Sequence, residues 1–143
     1  MVPPRLRGLY DSKTLGEDGT VLATFGYPNP TFLWIPAQAN GATGTAYPIA
    51  GLPDQFVSAD MNRRRDFVGS TRYGGDDNSR AYRVSNEGQV VEDLNTLIPA
   101  NSGWVLQDAY GINDAGYITG TGYFTDAAGV EEHGLFLLVP TAY

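Results

Sequence analysis

The chain has 143 residues, with 16 acids against nine bases for a net charge of -7, no cysteine and a single histidine. That length holds one domain with its own core. The acidic balance argues against a phosphate backbone as main partner, because counterion release needs clustered cations, and the missing thiols exclude disulfides, zinc–thiolate sites and thiol nucleophiles.

In chain order, the opening Met1-Val-Pro-Pro-Arg-Leu-Arg7 shows no apolar leader region, and Arg5-Leu-Arg-Gly-Leu9 is a short strand candidate. Ser12–Ala23 then sets an apolar residue, Leu15, before the turn sequence Gly16-Glu-Asp-Gly19. The short aromatic run Thr31-Phe-Leu-Trp34 follows, then a loop over Ala37–Thr45 and a third element, Tyr47-Pro-Ile-Ala-Gly-Leu-Pro53. Ser58–Gly69 repeats the first element with Met61 in the apolar place, but Arg63-Arg64-Arg65 stands where the glycine turn belongs, so a different or looser turn is expected there. After an exposed loop over Gly74–Ser79 come Ala81-Tyr-Arg-Val84 and Glu92-Asp-Leu-Asn-Thr-Leu-Ile-Pro99. The third copy, Ala109–Gly120, carries Ile112 and the tight turn Asn113-Asp-Ala-Gly116. A loop over Thr125–His133 and the run Leu135-Phe-Leu-Leu138 complete it, with no third element after them.

Leu15 to Met61 is 46 residues and Met61 to Ile112 is 51. A period near that size, with short strands rich in β-branched and aromatic residues, predicts an all-β domain over 1–143 in three repeats, approximately 9–53, 54–99 and 100–143. Propeller-like blades of antiparallel strands are the expected architecture, with a β-trefoil as the alternative. Three blades leave edge strands to be covered, either by a homo-oligomer such as a six-blade ring of two chains or by Arg5–Leu9 acting as the missing strand. No run of apolar residues is long enough to span a membrane as a helix.

Six of the nine bases, Arg63, Arg64, Arg65, Arg72, Arg80 and Arg83, fall in the middle repeat. They form either a site for carboxylate or phosphate or a solvated turn offset by Asp60, Asp66, Asp76 and Asp77. Arg72, Tyr73, Asp76 and Asp77 lie on one Gly-rich stretch and are the candidate ligand-binding residues, a glycan being the first choice. Asp76-Asp77-Asn78 lacks the spacing of a calcium loop and reads as an Asx turn. His133 beside Glu131 and Glu132 matches no metal motif, no Gly-x-Ser-x-Gly elbow occurs, and Gly120-Thr-Gly122 opens a dinucleotide pattern that Thr125 breaks. A carboxylate pair for glycoside hydrolysis is compatible with sixteen acids but is marked by no motif. Trp34 and Trp104 are expected in the packing; Tyr73 and Tyr123 are expected nearer the surface.

The passage Glu92-Asp-Leu-Asn-Thr-Leu-Ile-Pro-Ala-Asn-Ser-Gly-Trp-Val-Leu-Gln107, with Ala109–Gly116 and Gly134-Leu-Phe-Leu-Leu-Val-Pro140, resembles the C-terminal portion of HAF-repeat (probable extracellular repeat) proteins. Arg80-Ala-Tyr82, Gly134-Leu-Phe136 and Pro30-Thr-Phe32 hold the places of the family's His-Ala-Phe triplet. The resemblance implies a propeller-like fold, an extracellular or cell-surface location and no catalytic residues. The resulting expectation is a non-enzymatic module acting by binding or assembly, without cofactor or metal. A carbohydrate-binding module is the alternative, and a carboxylate-based glycoside hydrolase the remote one.

Overall fold

A computed structural model of the chain describes residues 11–24, 31–53, 56–71 and 79–141. Over these residues the protein is all-β, as the turn spacing predicts. Strands β1 (Asp11–Leu15), β2 (Val21–Thr24), β3 (Thr31–Pro36) and β4 (Gly44–Pro48) form one sheet; β5 (Phe56–Met61), β6 (Phe67–Thr71), β7 (Ala81–Ser85) and β8 (Val90–Asp93) form a second. The third has three strands, β9 (Trp104–Ile112), β10 (Ile118–Thr125) and β11 (Glu131–Leu138). Within each sheet every strand pairs antiparallel with the one before it, so the sheets are three successive meanders, as in propeller blades. A trefoil would close strands of all three units into one barrel; here the sheets are separate and no barrel closes. Arg5–Leu9 lies outside the described residues.

The repeat is carried to single residues. In the first hairpin of each sheet Gly16, Asn62 and Asn113 occupy one position, closed by Gly19 N–H to Gly16 O, Arg65 N–H to Asn62 O and Gly116 N–H to Asn113 O at 3.0–3.1 Å. Gly19, Arg65 and Gly116 all take positive φ, at 88°, 63° and 84°. The arginine triplet therefore does not give a looser turn, contrary to expectation. Asn62 Oδ1 accepts the N–H groups of Arg64 and Asp66, both at 3.0 Å, and so holds the loop in the geometry that glycine allows elsewhere. Each innermost strand also bulges at the same place, with Lys13, Ala59 and Tyr110 as the extra residues. Past the bulge, Gly69 pairs with Ser58 and Gly120 with Ala109. A Cβ on Gly69 would collide with Val57 O, and one on Gly120 with Asp108 O, which is why glycine recurs there.

The core lies between the sheets. Leu22, Leu33 and Ile49 of the first sheet and its following turn meet Phe56, Met61, Phe67 and Val84 of the second. Val68, Ala81 and Leu94 on the other side of the second sheet meet Leu106, Ala109, Ile112, Ile118 and Phe136 of the third. Consecutive residues Phe67 and Val68 thus serve opposite interfaces, as the two-residue period of a strand requires, and the middle sheet is buried on both faces. A 3-10 turn, Leu94–Leu97, follows β8, capped by the Asp93 side chain. From it Asn95 reaches β9: its Oδ1 accepts Leu106 N–H at 2.8 Å, and its Nδ2 donates to Leu106 O at 2.9 Å. One side chain here replaces a pair of ladder hydrogen bonds. The loop expected over Thr125–His133 is shorter than its sequence suggests, since Thr125 belongs to β10 and Glu131–His133 to β11.

Candidate functional site: the unfinished third sheet

The arginine triplet joins the three hairpins to one another. Arg63 donates through Nε to Glu17 Oε2 at 2.6 Å, and its backbone N–H donates to Asp114 Oδ1 at 2.7 Å, so it ties the first and third turns to the second. Arg65 donates to Asp18 at 2.8 Å, to the Thr20 hydroxyl at 2.9 Å and to Glu87 at 3.2 Å. Arg64 faces Asp66 at 3.6 Å, and the buried Asn62 donates to Asn113 O at 3.0 Å. Partial burial pushes the Asp18 carboxyl up, but hydrogen bonds from Thr20 and the charge of Arg65 outweigh it and hold Asp18 below its usual range. The Glu17 hydrogen bond raises Arg63 above an ordinary guanidinium. The solvated-turn reading is right that these charges are offset. Most of the offset comes from Glu17, Asp18 and Asp114, in other repeats.

A different region stands open. Register aligns Leu33 of β3 with Arg83 of β7 and Leu137 of β11, because they pair with Leu22, Val68 and Thr119 at one position of the second strands. Thr31, Ala81 and Leu135 align one pair earlier. In the first two sheets this face is covered by the next sheet, and Leu33 and Ala81 are fully buried. In the third sheet Leu135, Leu137 and Val139 are 79%, 62% and 51% exposed, and Tyr110 and Tyr117 are exposed nearby. An apolar face of this kind, contiguous and flanked by polar residues, marks a contact surface.

Among the described residues the strand order leaves β11 at the edge of its sheet, where the other two sheets carry a fourth strand. Two grooves run along it. One, of about 240 Å³, lies between Leu135–Leu138 and the segment Ile98–Trp104. The other, of about 280 Å³, continues past Leu138 between Leu94, Leu97 and Ile98 on one side and Val139, Pro140 and Ile118 on the other, with Arg83 in its wall. Arg83 donates to Glu92 at 2.6 Å through Nη2, while its buried Nε has no hydrogen-bond partner among the described residues.

Arg72, Tyr73, Asp76 and Asp77, the ligand-binding candidates, lie outside the described residues. Trp34 is buried as expected, and half-buried Trp104 packs on Phe124 with ring centroids 5.6 Å apart. Tyr123 is half-buried, set against the ring of the exposed His133 at 5.8 Å. Among the described residues no group of three or more His, Asp or Glu is arranged to hold a metal, and no helix is long and apolar enough to cross a membrane. The open face was missed as a site in the sequence, although the uninterrupted run Leu135-Phe-Leu-Leu-Val139 carried its signal: a strand apolar at every position needs both faces covered. Comparison with protein-family models, curated proteins and solved structures finds no match to this chain.

Proposed function

We propose that the chain is a non-enzymatic β-repeat module of the HAF-repeat kind, exported or displayed at the cell surface, which acts by binding or assembly through its third sheet. The observation that carries this reading is the exposure of Leu135, Leu137 and Val139 at positions where the two preceding sheets hold the buried Thr31, Leu33 and Ala81 and the half-buried Ile35, Arg83 and Ser85. Burial of large apolar side chains is the main favourable term in association, so this face gains from a contact. Face-to-face pairing of two chains about a two-fold axis supplies such cover. With that axis across the strands, Glu131 and Glu132 of one chain lie at the opposite end from those of the other, which limits repulsion between acidic molecules.

Light scattering on a sizing column tests the reading. The expected result is a mass that rises with concentration from the 15.4 kDa of one chain towards twice that value. A Leu135→Glu, Leu137→Glu double variant with unchanged circular dichroism should stay at the mass of one chain. A wild-type chain that remains single at every concentration, and binds an apolar dye no better than the double variant, overturns the proposal.

A further inference from the structure

Resting on the reading that the third sheet is the contact region, we infer that its open face is the dock for a β-meander module with a cationic first hairpin, laid on it as the second sheet is laid on the first. The two interfaces inside the molecule set the pattern. At the first, the β5–β6 hairpin rests Phe56, Met61 and Phe67 against Leu22 and Leu33. Beside them the Thr14 and Ser58 hydroxyls meet at 2.9 Å, and Arg63 binds Glu17. At the second, Arg63 and Asn62 reach the Asn113–Asp114 turn, and Ser70 Oγ accepts Ala109 N–H at 3.1 Å. Each joint thus combines an apolar face, a polar bridge and turns of opposite charge.

The third sheet repeats the parts that face forward. Register places Leu137 at the position of Leu33, Leu135 at that of Ala81 and Thr121 at that of Ser70. Asn113 stands where Asn62 stands, and its Oδ1 accepts Tyr117 N–H at 2.9 Å just as Asn62 Oδ1 accepts Asp66 N–H at 3.0 Å. Held in this way, Asn62 gives its Nδ2 to the carbonyl of the following turn, whereas Asn113 Nδ2 has no such partner among the described residues. Thr119 replaces Leu22 and Val68, and its hydroxyl is satisfied within the sheet by Phe136 O at 3.0 Å. Asp114 holds the place of Glu17 and Arg63, with 53% of its side chain exposed. The sign of this turn selects the partner: a cationic hairpin remakes the contact of Arg63 with Glu17, and an acidic one is repelled.

The probe is a cyclised peptide of residues 56–71, the chain's own cationic hairpin, closed by a two-residue turn across the paired ends Phe56 and Thr71. Its cross-strand contacts are verified first, and it is added to the isotopically labelled full chain at a concentration where that chain is single. Saturable amide shifts at Asn113, Asp114, Thr119, Thr121, Leu135 and Leu137 are expected. At higher chain concentration the peptide should lower the solution mass, because self-pairing covers the same face. An Arg63→Glu peptide should bind about three- to tenfold more weakly, and an Asp114→Lys chain with unchanged circular dichroism should reverse that preference. Absence of saturable shifts, shifts centred elsewhere, or equal binding of the two peptides to the wild-type chain would each overturn the proposed partner. The assembly reading fails on a different result, a wild-type chain that stays single and binds an apolar dye no better than the Leu135→Glu, Leu137→Glu variant, so the two failures are told apart.

Discussion

Leu33 and Leu137 hold one position in two repeats, and this makes them a controlled pair for measuring what a covering sheet contributes. Leu33 is fully buried between the first and second sheets, whereas Leu137 is 62% exposed. Leu→Ala removes about three carbon groups, which at roughly 0.8 kcal/mol each amounts to about 2.4 kcal/mol when the side chain is fully buried. A cavity adds to this at Leu33, giving about 3–5 kcal/mol in total. At Leu137 only about two fifths of the transfer energy is at stake and no closed cavity forms, so about 1 kcal/mol is expected for the single chain. Urea denaturation of both variants measures the difference, with the slope of the transition checked for constancy. The Leu33→Ala value should be independent of protein concentration. The Leu137→Ala value should grow with concentration if that face is buried between chains. Equal, small effects at low concentration would refute the argument that the sheets are held together by their facing apolar surfaces.

Two further outcomes follow from single sites. Gly120→Ala would drive a methyl group into Asp108 O and the Phe136 ring, so it should destabilise the domain by about 1–3 kcal/mol or more and lower its melting temperature in calorimetry; Gly129→Ala, where nothing lies within 4 Å of the added carbon, should act only through its left-handed φ and cost less. The carboxyl of Asp18 titrates below its unfolded value, so its contribution to stability is complete above about pH 4 and is lost as pH falls through the lowered folded value. Acid titration of the Asp18→Asn variant should therefore show a shallower fall in stability below pH 4 than the wild type, and an identical profile would contradict the Thr20–Arg65 clasp.

The strands and their order were legible because turn chemistry is local. Asn113-Asp-Ala-Gly116 needs a left-handed residue at its fourth place and supplies glycine there. The alignment of Leu15, Met61 and Ile112 holds in space, since each sits two residues beyond its bulge. Burial does not follow the alignment: Met61 and Ile112 are covered by the preceding sheet, while Leu15 of the first sheet is exposed. The role of the arginines was hidden because their partners lie 46 and 51 residues away, as in Arg63 with Glu17 and Asp114. Nothing local distinguishes an arginine aimed at solvent from one aimed at the next hairpin. The open face was ambiguous for a similar reason: Leu135-Phe-Leu-Leu138 reads the same whether or not a further sheet covers it.

The three hairpins also encode the sequence in which the sheets can stand side by side. The first bears Glu17 and Asp18, the second Arg63, Arg64 and Arg65, and the third Asp114, so a cationic turn is clasped between two anionic ones. Move the middle sheet to either end, or duplicate it, and like charges meet where ion pairs now lie. Head-to-tail closure of two identical chains into a ring has the same flaw, since it sets the Asp114 turn of one chain beside the Glu17–Asp18 turn of the next. A neighbour that continues the array past the third sheet must therefore bring a positively charged hairpin of its own, which makes turn charge a rule for which modules can be adjacent.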